Sequence, residues 1–283
     1  MKTINIFIKI LLFSIGSPAT ASLLPEGLTL LRIDTSITSA KALWMGTQLT
    51  DYEKNGETQL ISTGISYSLG FKNLQIDTRI AYADYKMLSG QMGDAKNGDT
   101  NSGLQEVGFK FTQEIYETDS YSIDAFYGVR SPGSNKTPDT FLALNNGNSN
   151  YEFGINNGIK LENSLLINMI KYTYRPDKIQ GNQFYFDFGY RYQMKKSSIG
   201  LLFGQLITYG GVDIGSTGFN NLMNERNGKP PFSSVKEEYQ FINITGDYWL
   251  TRASAMDFTF SKKISGRNTD SSTNIGFGIN WIL

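Results

Sequence analysis

Beyond residue 22 the chain alternates apolar and polar side chains in stretches of about ten residues, the length of a tilted membrane-crossing strand. Val107, Phe109, Phe111 and Ile115 fall on one side of an extended segment, with Gly108, Lys110, Thr112 and Glu114 on the other. Tyr121, Ile123, Ala125, Tyr127 and Val129 likewise oppose Ser122, Asp124, Phe126, Gly128 and Arg130, and Phe184, Phe186, Phe188, Tyr190 and Tyr192 oppose Tyr185, Asp187, Gly189 and Arg191. A helix would bring Phe184 and Asp187, three apart, to the same side, whereas strand spacing separates every charge in the segment from every Phe. The pattern predicts about twelve strands, at 27–37, 58–69, 74–85, 103–116, 121–131, 151–161, 165–175, 183–193, 198–210, 237–249, 254–263 and 273–283.

The connections alternate in length. Short ones fall at 70–73, 117–120, 162–164, 194–197 and 250–253, and longer ones at 38–57, 86–102, 132–150, 176–182, 211–236 and 264–272. Alternating short turns and long loops, with an even strand count, describe an all-β fold: a transmembrane antiparallel up-and-down β-barrel. A soluble sandwich also alternates, but it gathers its large rings mid-strand on the inward face. Here the rings collect at strand ends. Tyr67, Phe71, Tyr116, Tyr121, Tyr190, Tyr192, Tyr248 and Trp249 lie toward the short turns, and Tyr82, Tyr85, Tyr127, Tyr151, Tyr174, Tyr209 and Tyr239 toward the long loops. Two such belts match the interface girdles of a barrel in lipid.

Both ends of the chain read as addresses. Lys2 and Lys9 flank and precede a short apolar run, Ile10 to Ile15, followed by Ala19-Thr20-Ala21, which marks 1–21 as a cleaved signal peptide and 22–283 as the barrel. The apolar run is too short to cross about 30 Å of hydrocarbon. At the other end Ile275, Phe277, Ile279, Trp281 and Leu283 are apolar at every second position up to the last residue. They resemble the C-terminal assembly signal of Gram-negative outer-membrane proteins, with Leu283 where Phe or Trp is usual. That implies the barrel assembly machinery as a partner.

Composition narrows the chemistry. The chain has no Cys and no His, which removes disulfides, thiol nucleophiles, His general bases and the usual zinc or haem ligands. No enzyme activity and no cofactor is expected. Asp94, Asn97, Asp99 and Asn101 are of calcium-loop residue type but lack the glycine and the closing acid at the required spacing, so no metal is expected either. A formal charge of +0 gives no pull toward nucleic acid.

Four short stretches, Leu24-Pro25-Glu26-Gly27, Gly103 to Glu106, Gly128 to Gly133 and Gly266-Arg267-Asn268, resemble the outer-membrane barrels encoded beside meta-pathway phenol-degradation genes. The resemblance implies a twelve-strand barrel that passes or binds small, often hydrophobic, molecules.

If one strand face meets lipid, the other meets the lumen. Parity places Arg32, Asp34, Asp77, Arg79, Lys110, Asp124, Arg130, Lys171, Arg175, Asp187 and Arg191 there as pore-lining candidates, together with Glu106, Glu114, Glu152, Lys160, Asp247 and Asp257. Arg32 with Asp34, Asp77 with Arg79, and Asp187 with Arg191 are close enough along their strands to pair. Phe126, Tyr185, Leu202, Leu206 and Phe241 face inward by the same parity, unless the register slips by one residue. Two readings stand: a narrow outer-membrane channel for small solutes, some of them hydrophobic or aromatic, or a non-conducting structural or adhesin-type barrel whose lumen is filled with ion pairs and whose loops bind partners. The longest loop, 211–236, is a candidate gate.

Overall fold

A computed structural model of the chain describes residues 23–51, 53–92, 95–133, 142–144, 147–176, 181–225 and 234–283. The expected leader, 1–21, lies outside the described residues. The strands are β1 (Thr29–Met45), β2 (Gln48–Asp51), β3 (Glu53–Phe71), β4 (Leu74–Met92), β5 (Ala95–Lys96), β6 (Thr100–Glu117) and β7 (Tyr121–Pro132), followed by β8 (Asn150–Leu161), β9 (Ser164–Tyr174), β10 (Asn182–Gln193), β11 (Ser197–Tyr209), β12 (Glu238–Trp249), β13 (Ser254–Arg267) and β14 (Asp270–Ile282). One helix, α1 (Thr217–Glu225), interrupts the β11–β12 connection. Short β2 and β5 only extend hairpin tips. The twelve long strands pair antiparallel in sequence, and β14 returns to β1, with Leu30 opposite Ile282 and Ser36 opposite Gly276, closing the barrel. Closure leaves no free edge in the wall, which lipid would otherwise leave unpaired.

The strands occupy the predicted places, but three of the expected long loops do not exist as loops. Residues 38–57, 86–102 and 264–272 are mostly strand, because β1, β3, β4, β6, β13 and β14 continue past the outer belt as paired ladders. Past the belt the outward positions turn polar, as at Lys41, Glu57 and Lys86, while small residues such as Ala40 and Ala83 are buried inward. Cross-strand pairing needs no lipid, so the ladder runs on where the apolar alternation stops.

One-residue bulges adjust the wall, three of them in the β4–β6, β6–β7 and β12–β13 ladders. Glu106 pairs Ala81 and Leu104 pairs Tyr82, which makes Gln105 the extra residue between them; Ile115 and Ile264 are the corresponding extra residues in the β6–β7 and β12–β13 ladders. Each bulge flips the inward parity of the residues beyond it.

The exterior is a continuous apolar band that includes Ile33, Ile65, Ile80, Phe109, Phe111, Phe153, Phe188, Leu201, Phe258 and Phe277, all exposed. An apolar surface of this extent is stable against hydrocarbon and not against water. Tyr67, Phe71, Tyr116, Tyr190, Tyr192 and Tyr248 ring its short-turn side, and Tyr82, Tyr127, Tyr174 and Tyr209 its long-loop side, all exposed as the belts require. Trp249 leaves the expected belt: it is 7% exposed and packs inside against Ala255, Leu30 and Ile282. Tyr85 and Tyr239 also turn inward, the first packing on Met87, Ala95 and Leu142 and the second tilted against Phe241.

At the short-turn end, the segment before β1 tucks under the barrel. Leu24 N donates to Gln75 Oε1 at 2.7 Å, and Gly27 N and Gly70 N exchange bonds with Gly70 O and Leu28 O at 3.0 Å. Gly70 is required there, since a Cβ would strike the Leu24 and Pro25 carbonyl oxygens.

Candidate functional site

The inward faces of seven strands build one alternating chain of charge. Asp257 on β13 accepts from Arg32 on β1 at 2.9 Å, and Arg32 Nε lies 3.5 Å from Asp34. Arg79 on β4 reaches Asp34 with both terminal nitrogens, at 2.6 and 2.9 Å, and its Nε lies 3.6 Å from Glu106 on β6. Arg130 on β7 joins Glu106 at 3.5 Å to Glu152 on β8, and Lys171 on β9 donates to Glu152 at 3.0 Å. Four acids and four bases thus alternate along the inner wall. A second pair, Asp77 and Lys110, sits directly opposite in the β4–β6 register at 3.3 Å, with Gln75 donating to Asp77 at 2.6 Å. Gly64 makes room for the Arg79 guanidinium, which occupies the space a Cβ would need.

This wall borders a cavity of about 550 Å³. Its lining includes Arg32, Asp34, Asp77, Arg79, Lys110, Arg130 and Lys171 of the pore-lining candidates, and also Glu106, Glu152, Asn156 and Asn280. Ser66, Ser68 and Thr112 supply neutral polar groups, and Leu23 borders it from the tucked segment.

Other inward positions are filled by apolar side chains. Leu165, Ile167 and Leu202 form a buried cluster, and Phe126, Leu206 and Phe241 are each 8% exposed. The register therefore does not slip at these strands. Tyr185 stacks on Phe241 with ring centroids 5.7 Å apart, and Lys171 sits 5.2 Å above the Tyr185 ring.

Four candidates stand apart from the cavity. Asp124 is buried opposite Glu114 in the β6–β7 register. Asp187 accepts from the Tyr185 hydroxyl at 3.2 Å. Arg191, 3% exposed, approaches Asp247 at 3.9 Å and does not pair with Asp187. Arg175 lies just beyond β9 at the long-loop end. Arg79 likewise leaves its strand neighbour Asp77 for Asp34 and Glu106, because side chains in a closed barrel meet across strands more closely than two positions apart along one. Arg32 and Asp34 do approach as expected. Of the calcium-type residues, Asp99 Oδ2 accepts from Lys96 N at 2.7 Å and Asn101 donates to Leu142 O at 2.9 Å, while Asp94 lies outside the described residues.

A second charged cluster, above the cavity, escaped the parity count. Lys263 donates to Thr269 at 2.7 Å and to Asp270, lies 3.5 Å from Glu237, and sits 4.5 Å above the Tyr239 ring. Extending β13 parity by six residues from Asp257 would have found it. The connection from β11 to β12 bends onto the same mouth. Asp213 takes two bonds from Arg267, at 2.8 and 2.6 Å, Asn268 donates to Asp213 at 2.6 Å and to Lys236 O at 3.0 Å, and Ile214 packs on Ala40 and Leu43. Asn268, at φ 51 and 4% exposed, also accepts from Gly46 N and Ile214 N, so one side chain ties three connections together. Ser216 caps α1 by accepting from Phe219 N at 3.2 Å. The Arg267 guanidinium holds the Asp213 carboxyl down at about 2.

No protein-family model matches the chain, and no curated protein does. Among solved structures the barrel is similar to the COG4313 outer membrane channel from Pseudomonas putida F1, with a TM-score of 0.77 and 11% identity over 94% of this chain and 99% of that one. It is also similar to the NanC porin, with a TM-score of 0.54 and 8% identity over 89% of this chain and 100% of that one. The translocator domain of the autotransporter NalP from Neisseria meningitidis aligns with a TM-score of 0.50 and 9% identity, over 90% and 88% of the two chains. At these identities the likeness is one of fold. The fold is a transmembrane β-barrel of the outer-membrane type, a wall that serves channels and translocators alike.

Proposed function

We propose that the protein is a narrow channel of the Gram-negative outer membrane that passes small molecules, with the alternating charge chain as its pore lining. The observation that carries this reading is the cavity of about 550 Å³ inside a closed barrel, bordered by charged side chains of both signs. A barrel of this size lies between those that side chains fill and those that stay wide open. Here part of the lumen is filled by packed apolar side chains and part is kept polar. Fixed charges of both signs on a wet wall orient dipolar solutes and set ion preference. The short turns then face the periplasm and the long loops the exterior. Residues 1–21 serve as the cleaved leader, and Ile275, Phe277, Ile279, Trp281 and Leu283, alternating along the closing strand, as the signal read by the assembly machinery.

The test is conductance of the refolded chain 22–283 in a planar bilayer, with Arg79→Ala beside it. Discrete steps whose ion preference moves toward cations in the variant support the channel. A silent bilayer from protein that runs as a folded barrel on a gel refutes it and favours a filled structural barrel.

A further inference from the structure

Above the cavity the inner wall carries a strip in which cations and aromatic rings are in file. Lys171 lies 5.2 Å from the Tyr185 ring, Tyr185 is 5.7 Å from Phe241, Phe241 is 6.0 Å from Tyr239, and Lys263 lies 4.5 Å from Tyr239. Phe241 is buried behind the strip, while Tyr185, Tyr239, Lys171 and Lys263 keep part of their surface open. The lower end, Lys171, is part of the cavity lining.

Beside the upper part of this strip stands Arg175. It continues the inward face of β9 from Lys171 and Thr173, four residues and about 13 Å above Lys171 at strand rise. Its backbone N donates to Asn182 Oδ1 at 2.9 Å, which fixes where the chain leaves the strand. Its guanidinium has no ion pair among the described residues, and its Nε is buried without a hydrogen-bond partner. The acid whose field it feels, Glu237, is already engaged by Lys263 and by Thr269 Oγ1 at 2.8 Å. The charge chain below is balanced acid for base, so Arg175 is a surplus positive charge at its outer end. A half-buried guanidinium in that state is completed by an anion from outside, and its fork of donors matches a carboxylate.

We propose that this strip is a binding track for small organic monocarboxylates with a flat apolar body, the carboxylate captured by Arg175 and passed toward Lys171, the body sliding along Tyr239 and Tyr185. The rings supply an apolar face on which a planar body stacks, and the two ammonium groups keep the headgroup from leaving the wall. The proposal deepens the channel reading and rests on it for the direction of travel.

The probes are benzoate, its uncharged counterpart benzamide, and acetate, each added to the outer-loop side of single channels in a planar bilayer, with Arg175→Glu and Arg175→Lys alongside. Wild type is expected to prefer chloride over potassium and to show benzoate block at concentrations where benzamide and acetate give none. Arg175→Glu is expected to weaken the benzoate block about tenfold or more, the scale of one charge-assisted hydrogen bond, and Arg175→Lys to restore most of it. Equal block by benzamide overturns the carboxylate site, equal block by acetate overturns the apolar track, and an unchanged Arg175→Glu overturns the role of Arg175. If wild type is folded but silent, the channel reading fails. Calorimetric titration of the detergent-solubilised protein with benzoate then decides the site by itself: binding that Arg175→Glu abolishes sustains it, and no binding overturns it.

Discussion

Replacing Glu152 by Gln removes an acid that holds two cations of the lumen together, Arg130 and Lys171. Arg130 keeps Glu106 at 3.5 Å, but Lys171 loses its 3.0 Å carboxylate and is left with the face of Tyr185. At an effective dielectric near 20, a unit pair at this separation attracts by about 5 kcal/mol. Desolvation offsets part of that, and removing one partner of a buried pair costs about 3 kcal/mol net, at the low end because the adjoining cavity admits water. Lys171→Met alone leaves Glu152 bound to Arg130, so it is expected to cost less, about 1–2 kcal/mol. The double variant then lies well below the sum of the two, with a coupling of about 1–2 kcal/mol. Urea unfolding of the barrel in phospholipid vesicles, followed by tryptophan fluorescence and gel mobility, measures all four corners of the cycle. A Glu152→Gln loss under about 0.5 kcal/mol, or strict additivity with Lys171→Met, would mean that the charge chain is water-screened decoration, and the reasoning from its geometry would fail.

Phe277→Lys places an ammonium on the lipid face of β14, where Phe277 is 62% exposed beside Phe258 and Thr35; it is expected to cost about 2–4 kcal/mol in the same vesicle assay, and a neutral result would show that water, not lipid, meets this face. Gly70→Ala is expected to expel the tucked segment, since the added carbon meets the Leu24 and Pro25 carbonyls; protease cleavage within 23–28 from the short-turn side should become faster, and unchanged cleavage would refute the fit. Asp213 is depressed to about 2 by Arg267, so the latch's contribution is whole above its ordinary value of 3.8, declines below that and is lost as pH falls through about 2. Trp44, which packs against Gly266 beside the latch, should hold its emission from pH 7 to about 4 and shift below that, whereas Arg267→Ala should shift it already at pH 7.

The period-two pattern set the strands, their faces and the membrane-facing band, as β10 shows. Its alternation of Phe186, Phe188 and Tyr190 against Asp187 and Arg191 is local, and lipid demands the same outward apolarity wherever the strand sits in the barrel. Parity also named most of the cavity wall, from Arg32 and Asp34 to Lys171. It could not say which charges meet. Arg79 binds Asp34, 45 positions away, and Arg191 approaches Asp247 because strand stagger in the closed barrel carries each inward side chain to a neighbour that no single strand displays. Nor could it separate the inward positions that border the cavity from those that Leu165, Ile167 and Leu202 fill, since both read as inward alternation. The hairpins above the belt, the bulge at Ile264 beside Lys263, and the fastening of Asp213 by Arg267 and Asn268 depend on partners distant in sequence. Local alternation determined the wall of this protein, and closure of the wall decided what faces what inside it.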